Sequence, residues 1–171
     1  EPNSFNLLFE YQLEPEIYSF SLLNAFIKAA VRHGESHYPI HVKIDSGMHR
    51  LGFEKPDMEQ LVRILKDQET VQVQSIFSHL AGADSPAFDD FTHQQINLFK
   101  QCADTLQNGI GYSFLRHILN SPGIERFPEY QFDMVRLGIG LYSISAVNSP
   151  EMETVCTLKT TVLQVRKVKA G

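Results

Sequence analysis

The fold is decided by the stretch His41–Phe53, HVKIDSGMHRLGF, which begins like a buried strand and then breaks into a polar turn. Side chains alternate between the two faces of a strand, so His41, Lys43 and Asp45 share one face. A surface strand is the simplest explanation of that pattern. The neighbouring segments, however, predict a sheet that is covered on both faces. The stretch therefore predicts a strand whose polar face points into the centre of a sheet or barrel.

Working outward from this strand, strand-like and helix-like segments alternate along the chain. This order is typical of βαβ crossovers and a parallel sheet. Five strands are fewer than the eight of a closed barrel, and a doubly wound sheet also fits, although no glycine-rich phosphate loop follows an early strand. Strands are predicted at Leu13–Phe20, Ile40–Asp45, Val71–Leu80, Phe114–Ser121 and Met134–Tyr142, helices at Ser21–Arg32, from Pro56 and at Phe91–Leu106, and a further strand of a separate β-rich unit at Val155–Val168.

Composition excludes several classes of protein. Of the 171 residues, 43% are hydrophobic and 20% are charged, as in ordinary globular proteins. The net charge of −5 and the absence of like-charge blocks argue against a nucleic-acid or anionic-membrane partner. Cys102 and Cys156 have no paired spacing, so neither a disulfide framework nor a metal site is predicted, and a reducing cytoplasm is expected. Both ends look cut, so we expect a fragment.

Polar residues follow the ends of three other predicted strands. His79 alone suits a hydrogen-bonded core histidine, and Asn120 with Ser121 alone suits a helix cap. Arg136 interrupts an apolar run and requires an acceptor or an anion. The glycines of the following GIG let backbone N–H groups approach a phosphate. Together these residues predict a site for an anionic cofactor that carries a phosphate and a ring.

The segments KIDSGMHRLG, SHLAGAD, HILNSPG and DMVRLGIGLY resemble, in order, successive motifs of alanine racemase. The resemblance implies a partial (β/α)8 barrel at residues 1–143 and the start of a C-terminal β domain at residues 144–171. It also implies pyridoxal 5'-phosphate, a homodimer, and interconversion of L- and D-alanine for peptidoglycan synthesis, through an aldimine and two bases that exchange the Cα proton. The segment LEPEIYSF resembles the racemase half of bacterial fusions with a peptidoglycan-precursor ligase.

The resemblance also assigns roles around the cofactor ring. Lys43 matches a lysine that is often carbamylated, and its carbamate would orient Arg50. Arg50 matches the arginine at the phenolic oxygen of the cofactor and at the substrate carboxylate. His79 matches a ring-packing histidine. Arg136 matches the arginine that faces the pyridine nitrogen, and His117 matches the residue supporting that arginine.

For the phosphate, the resemblance implies a cradle made by Ser121 with the backbone at Gly138 and Ile139, and Asn120 lies beside it. No metal ion is implied. The cradle and the ring contacts together account for the cofactor-binding residues expected from this sequence.

Neither of the two catalytic bases is expected in this chain. The resemblance places the Schiff-base lysine upstream of Glu1 and the tyrosine base downstream of Gly171, so the chain is expected to be inactive on its own. Two alternatives stay open at this stage. One is a racemase of the same fold that prefers another amino acid, such as serine, and the other is a catalytically silent structural or interaction fragment.

Overall fold

A computed structural model describes residues 4–147 and 152–168, and its centre is a four-stranded sheet with the order β1-β2-β3-β4. All three strand pairs are parallel. Each strand lies beside the next one along the chain, and helices provide the crossovers, as predicted from the alternating pattern. The strands are β1 Glu16–Ile17, β2 Tyr38–Lys43, β3 Val71–Phe77 and β4 Leu115–His117.

Five α-helices surround this sheet, joined by short 3-10 turns. They are α1 Phe5–Glu10, α2 Phe20–His33, α3 Met58–Leu65, α4 Asp89–Ile110 and α5 Ser121–Arg126, with 3-10 turns at Lys55–Asp57, Pro86–Phe88, Pro128–Tyr130 and Ile139–Tyr142. Within the described ranges, the helices are all too short or too polar to cross a membrane.

Helix α2 shows how local sequence sets an element's limits. The Ser19 side chain accepts a hydrogen bond from the backbone N–H of Leu22 at 3.3 Å and caps the first turn. Gly34 ends the helix with a φ of +84°, a left-handed conformation that glycine adopts without steric cost. The predicted helix over Ser21–Arg32 and its end at Gly34 are confirmed. One face is buried through Leu23, Phe26 and Ala30.

The two faces of the sheet differ in chemistry. Ile17, Ile40, Val42 and Ile76 are fully buried on the helix side, and each such side chain contributes roughly 1.5–3 kcal/mol to folding through burial. The opposite face is polar and aromatic. It carries Glu16, His41, Lys43, Ser75, Phe77 and His117, which contact one another across the strands.

A register shift between β2 and β3 shapes this polar face. Ile40 pairs with Val73, but the next residue, His41, pairs with Ser75, so one extra residue of β3 is accommodated there. Beyond this bulge Ser75 lies on the same face as His41. The strict period of two predicted for Val71–Leu80 would have placed Ser75 on the helix side of the sheet, the same face as Val73.

Three predicted strands are shorter than expected, and two are absent from the described residues. Pro15 precedes β1 and Ser19 already caps α2, so only Glu16–Ile17 remains of the predicted Leu13–Phe20. The strand predicted at Met134–Tyr142 is wrong. This segment bonds to the chain around β4 only every third residue, through Asp133 and Arg136 N–H groups, and that spacing is not a strand ladder.

The strand predicted at Val155–Val168 is also wrong. Residues 152–168 form neither helix nor strand, and Leu158 and Leu163 are 100% and 93% exposed. A β-branched, alternating run forms a strand only beside a partner strand, and none of the described residues supplies one. The division into a barrel part at 1–143 and a β domain from 144 stays a prediction.

Candidate cofactor site

A cavity of about 410 Å³ opens beyond the carboxyl ends of β3 and β4, where parallel α/β sheets and barrels bind their ligands. Six of the nine predicted site residues line it. These are His79, Asn120, Ser121, Arg136, Gly138 and Ile139. Lys43, Arg50 and His117 lie outside the lining and act on it through other residues.

The Arg136 guanidinium is the central cation of this site. Its Nη1 donates to His117 Nδ1 at 2.6 Å, and its Nη2 donates to the backbone carbonyl of Ser78 at 2.6 Å. The sequence predicted that Arg136, inside an apolar segment, needs an acceptor or an anion. Its acceptors are the imidazole of His117 and backbone carbonyl oxygens. Burial lowers the pKa of Arg136, and the negative charge of Glu16 opposes that shift.

The direction of the hydrogen bonds around His117 follows from Arg136. A guanidinium only donates, so His117 Nδ1 accepts and Nε2 carries the proton. Nε2 then donates to Ser75 Oγ at 3.2 Å. The Ser75 hydroxyl in turn donates to His41 Nδ1 at 2.6 Å, and His41 Nε2 donates to the Glu14 carboxylate at 2.7 Å. One chain of hydrogen bonds, all in the same direction, connects Arg136 to a surface carboxylate.

Both histidines at the site have a lowered pKa, which favours the neutral form. Burial, and then the charge of Arg136, lower the pKa of His117 to about 4. Burial, then the charges of Arg136, Arg50 and Lys43, lower the pKa of His79. A neutral imidazole accepts one hydrogen bond and donates another. His117 uses both functions, and its ring stacks on Phe77 with the centroids 5.0 Å apart.

Ser121 gathers backbone donors at the opposite end of the cavity. Its Oγ accepts from the N–H groups of Gly138 at 2.9 Å and Gly140 at 3.0 Å. A Cβ added at Gly140 would lie 2.8 Å from Leu137 Cδ1 and 3.3 Å from Ser121 Oγ, so the close approach depends on glycine. Convergent N–H groups beside a hydroxyl form a concavity that suits an anion. The predicted Ile139 lines the cavity, whereas the donated N–H groups are those of its neighbours.

Asn120 uses its side chain as a helix cap. Its Oδ1 accepts from the N–H of Gly123 at 3.2 Å, and its Nδ2 donates to the Leu80 carbonyl at 3.1 Å. The Asn120 side chain is therefore a helix cap, as one of the two interpretations of the sequence predicted. Its position beside Ser121 places it in the lining of the cavity without leaving either amide atom unpaired.

Lys43 is buried on the polar face of the sheet and pairs with Glu16. Its Nζ donates to Glu16 Oε1 at 2.8 Å and lies 5.3 Å from the centre of the Phe77 ring. The Arg136 guanidinium lies at the same distance from that ring. Lys43 therefore contacts the ring that also carries Arg136, rather than Arg50. Carbamylation of Lys43 stays a prediction.

Arg50 is exposed on the loop that follows β2. The loop is shaped by Asp45, whose Oδ1 accepts from the N–H groups of Gly47 at 2.9 Å and His49 at 3.0 Å. Met48 of this loop lines the cavity, and the charge of Arg50 reaches His79. The loop thus holds the guanidinium at the rim of the site.

Two residues of the site were missed in the sequence analysis. Glu16 had a signal, because Glu14 and Glu16 stand two apart in a predicted strand and so share one face, which in the sheet is the face that carries Lys43. Ser75 had no signal, because only the bulge places it between His41 and His117.

A parallel α/β sheet with a cationic cavity at the carboxyl ends of its strands defines a ligand-binding part of an α/β barrel. The family described as alanine racemase, N-terminal domain, matches residues 1–146. The chain belongs to this family, and its four-stranded parallel sheet forms part of the family's barrel.

Several racemases resemble this chain in sequence. An alanine racemase of Clostridium tetani is 34% identical over 170 residues, which cover 95% of this chain and 43% of the relative. Alanine racemase 1 of Oceanobacillus iheyensis is 36% identical over 137 residues, covering 78% of this chain and 35% of the relative. The chain spans less than half the length of these relatives.

Solved structures resemble it as well. Alanine racemase of Clostridium difficile 630, in complex with cycloserine, superimposes with a TM-score of 0.76 at 28% identity, covering 83% of this chain and 39% of that one. The racemase of Bartonella henselae, with covalently bound pyridoxal phosphate, has a TM-score of 0.74 at 22% identity and covers 87% of this chain and 41% of that one. At that identity the second likeness supports the fold alone.

Proposed function

We propose that this chain builds the pyridoxal-phosphate-binding part of an alanine racemase, which interconverts L- and D-alanine. The observation that carries the proposal is the meeting of Ser121, Gly138, His79 and Arg136 in one cavity. These residues come from three separated segments, and each matches a motif of the family. Membership of the alanine racemase family supports the same substrate class.

The phosphate end of the cofactor fits the Ser121 side of the cavity. The N–H groups of Gly138 and Gly140 already converge on the Ser121 hydroxyl, and a phosphate oxygen accepts from such groups. The hydroxyl retains a proton of its own to donate. We assign Ser121 and the backbone from Gly138 to Gly140 to the phosphate, with Asn120 holding the start of α5 in place.

The ring end fits Arg136 and His79. When bound, the cofactor supplies an electron sink that labilises the Cα proton of an amino acid. Arg136 donates hydrogen bonds without giving up a proton, so a ring nitrogen facing it stays unprotonated. The neutral His117 keeps Arg136 in that position. This arrangement limits charge delocalisation and favours simple return of the proton to Cα over side reactions.

Arg50 is assigned to the phenolic oxygen of the cofactor and the substrate carboxylate. Its guanidinium stands exposed at the rim and donates no hydrogen bond to the described residues. A planar fork of donors is suited to a carboxylate. The homodimer and the role in peptidoglycan synthesis are carried over from the family resemblance alone, and the cytoplasmic setting rests on the cysteine pattern.

The chain by itself is proposed to be silent in racemisation, because two opposed bases are required. Among the lysines of the described residues, only Lys43 lies on the polar face of the sheet, and its Nζ is held by Glu16. The sequence contains Lys28, Lys43, Lys55, Lys66, Lys100, Lys159, Lys167 and Lys169.

A titration of the purified chain with pyridoxal 5'-phosphate, followed by absorbance and equilibrium dialysis, tests the proposal. We expect reversible binding that Ser121→Ala weakens about tenfold, the value of roughly one lost hydrogen bond to a charged group. Ser113→Ala, at an exposed serine, is the control. Absence of binding, or equal binding by both variants, overturns the site assignment. D-alanine production by the chain alone overturns its proposed silence.

A further inference from the structure

We propose that Glu16 is a positioning residue of this site, which holds Lys43 as a free ammonium on the polar face of the sheet. Lys43 is then not carbamylated in this protein, because its charged partner is already a protein carboxylate. The inference rests on the proposed function for the meaning of the site, but not for the state of Lys43.

The contact between the two side chains is short, and it joins a buried lysine to a carboxylate whose side chain is 41% exposed. Lys43 Nζ lies 2.8 Å from Glu16 Oε1, and the lysine is 8% exposed. The flat Phe77 ring lies 5.3 Å from Nζ. A buried ammonium requires a partner of opposite charge, because desolvation of an unpaired charge is costly. Among the described residues, Glu16 is the carboxylate that provides it.

Strand register explains why Glu16 is in reach. Glu16 is paired with His41 in the parallel β1–β2 ladder, and Lys43 follows two residues later on the same face. Glu14 stands two residues before Glu16 and takes the imidazole of His41 at 2.7 Å. Glu14 and Glu16, at the first strand, therefore pair with His41 and Lys43 of the second strand.

The chemistry of carbamylation opposes a second anion at this position. The ammonium first loses one proton, the resulting neutral amine attacks CO2 to form a new N–C bond, and a second proton leaves to solvent, so a cation becomes an anion. Glu16 favours the ammonium over the neutral amine that must react. The product would also place a carbamate against the Glu16 carboxylate, and two anions at hydrogen-bond distance repel each other.

Lys43 and Arg136 lie on the same aromatic ring, each 5.3 Å from the centre of Phe77. The negative charge of Glu16 also raises the pKa of Arg136 against the effect of burial. Arg50 is left without a protein anion among the described residues, and its charge is available to a ligand.

Carbon-13 NMR of the chain, equilibrated with labelled bicarbonate and without cofactor, tests the proposal. We expect no lysine carbamate resonance in the wild-type chain. In Glu16→Gln we expect a carbamate resonance, which the double variant with Lys43→Arg removes, because a guanidinium does not form a carbamate. Glu16→Asp retains the anion and should behave as wild type. Glu14→Gln, which changes a neighbouring carboxylate, is the control and should also show none.

A carbamate on Lys43 in the wild-type chain overturns the proposal, and that measurement stands even if Glu16→Gln does not fold. A folded Glu16→Gln variant that stays free of carbamate overturns the role of Glu16. Neither result depends on pyridoxal phosphate, so failure here is distinct from failure of the cofactor titration.

Discussion

Arg136 Nη1 donates to His117 Nδ1 at 2.6 Å, and this one contact sets both the tautomer and the charge of the histidine. Because a guanidinium never accepts a hydrogen bond, His117 must be neutral with its proton on Nε2. The pair consequently behaves as a unit in which the histidine supports the arginine only while it remains unprotonated.

The pair predicts a pH dependence of stability. The folded pKa of His117 is about 4 against an ordinary value of 6.5, so between these values the unfolded chain binds more protons. The contribution of His117 to the free energy of unfolding is therefore fully present above pH 6.5. It falls by about 3 kcal/mol as the pH falls to about 4. Urea unfolding of the chain at a series of pH values measures this slope.

His117→Asn should flatten that slope. The Asn amide oxygen can accept from Arg136 but does not titrate, so the stabilising contact persists while the proton linkage disappears. His37→Asn, at an exposed histidine, is the control and should leave the slope unchanged. An unaltered slope in His117→Asn would show that other groups account for the acid sensitivity.

Ser75→Ala should destabilise the chain by severing the chain of hydrogen bonds at its middle. His117 Nε2 would lose its acceptor and His41 Nδ1 its donor, at a cost of roughly 1–3 kcal/mol for the buried group left unsatisfied. Chemical denaturation compares it with Ser113→Ala, which removes an exposed hydroxyl. Equal midpoints for the two variants would contradict the proposed connection.

Some of these features could be predicted from the sequence, and the reason is local. The polar face of β2 and the limits of α2 follow from side-chain alternation and from capping residues that are neighbours in the chain. The meeting of His79 and Ser121 was predicted because parallel strands end at one edge, so the residues after them meet. Arg136 joins them from a segment that was predicted as a strand but forms none.

Other features depend on register and on partners, which no single segment specifies. The bulge that brings Ser75 to His41 is a property of the β2–β3 pair. The segment Met134–Tyr142 has a strand-like composition, yet its backbone bonds only at wide intervals. The run Val155–Val168 likewise has the right residues for a strand and no partner among those described.

Gly52→Ala should be far more destabilising than Gly34→Ala, although both glycines have positive φ. At Gly52, with φ +138°, a Cβ would lie 2.3 Å from the Asp45 nitrogen and 2.6 Å from the Ile44 carbonyl carbon, whereas at Gly34 it would meet open space. We expect about 1 kcal/mol for Gly34→Ala from the left-handed backbone and on the order of 3–5 kcal/mol for Gly52→Ala. Similar unfolding midpoints would contradict the backbone overlap at Gly52.

If the proposed function holds, Arg50→Lys should impair racemisation by a longer protein that contains this chain, while leaving its stability unchanged. The exposed Arg50 donates no hydrogen bond to the described residues, so its loss disturbs no packing, but an ammonium cannot present a planar fork to an oxygen and a carboxylate. Losing one charge-assisted bond of about 1.5–3 kcal/mol corresponds to a fall in kcat/KM of roughly tenfold to a hundredfold.

Arg63→Lys, at an exposed position of α3, is the control for the general effect of the substitution. Steady-state racemisation and thermal unfolding are measured on both variants. Wild-type turnover in Arg50→Lys would remove Arg50 from the site, whereas a parallel loss of stability would show that it holds the loop instead of the ligand.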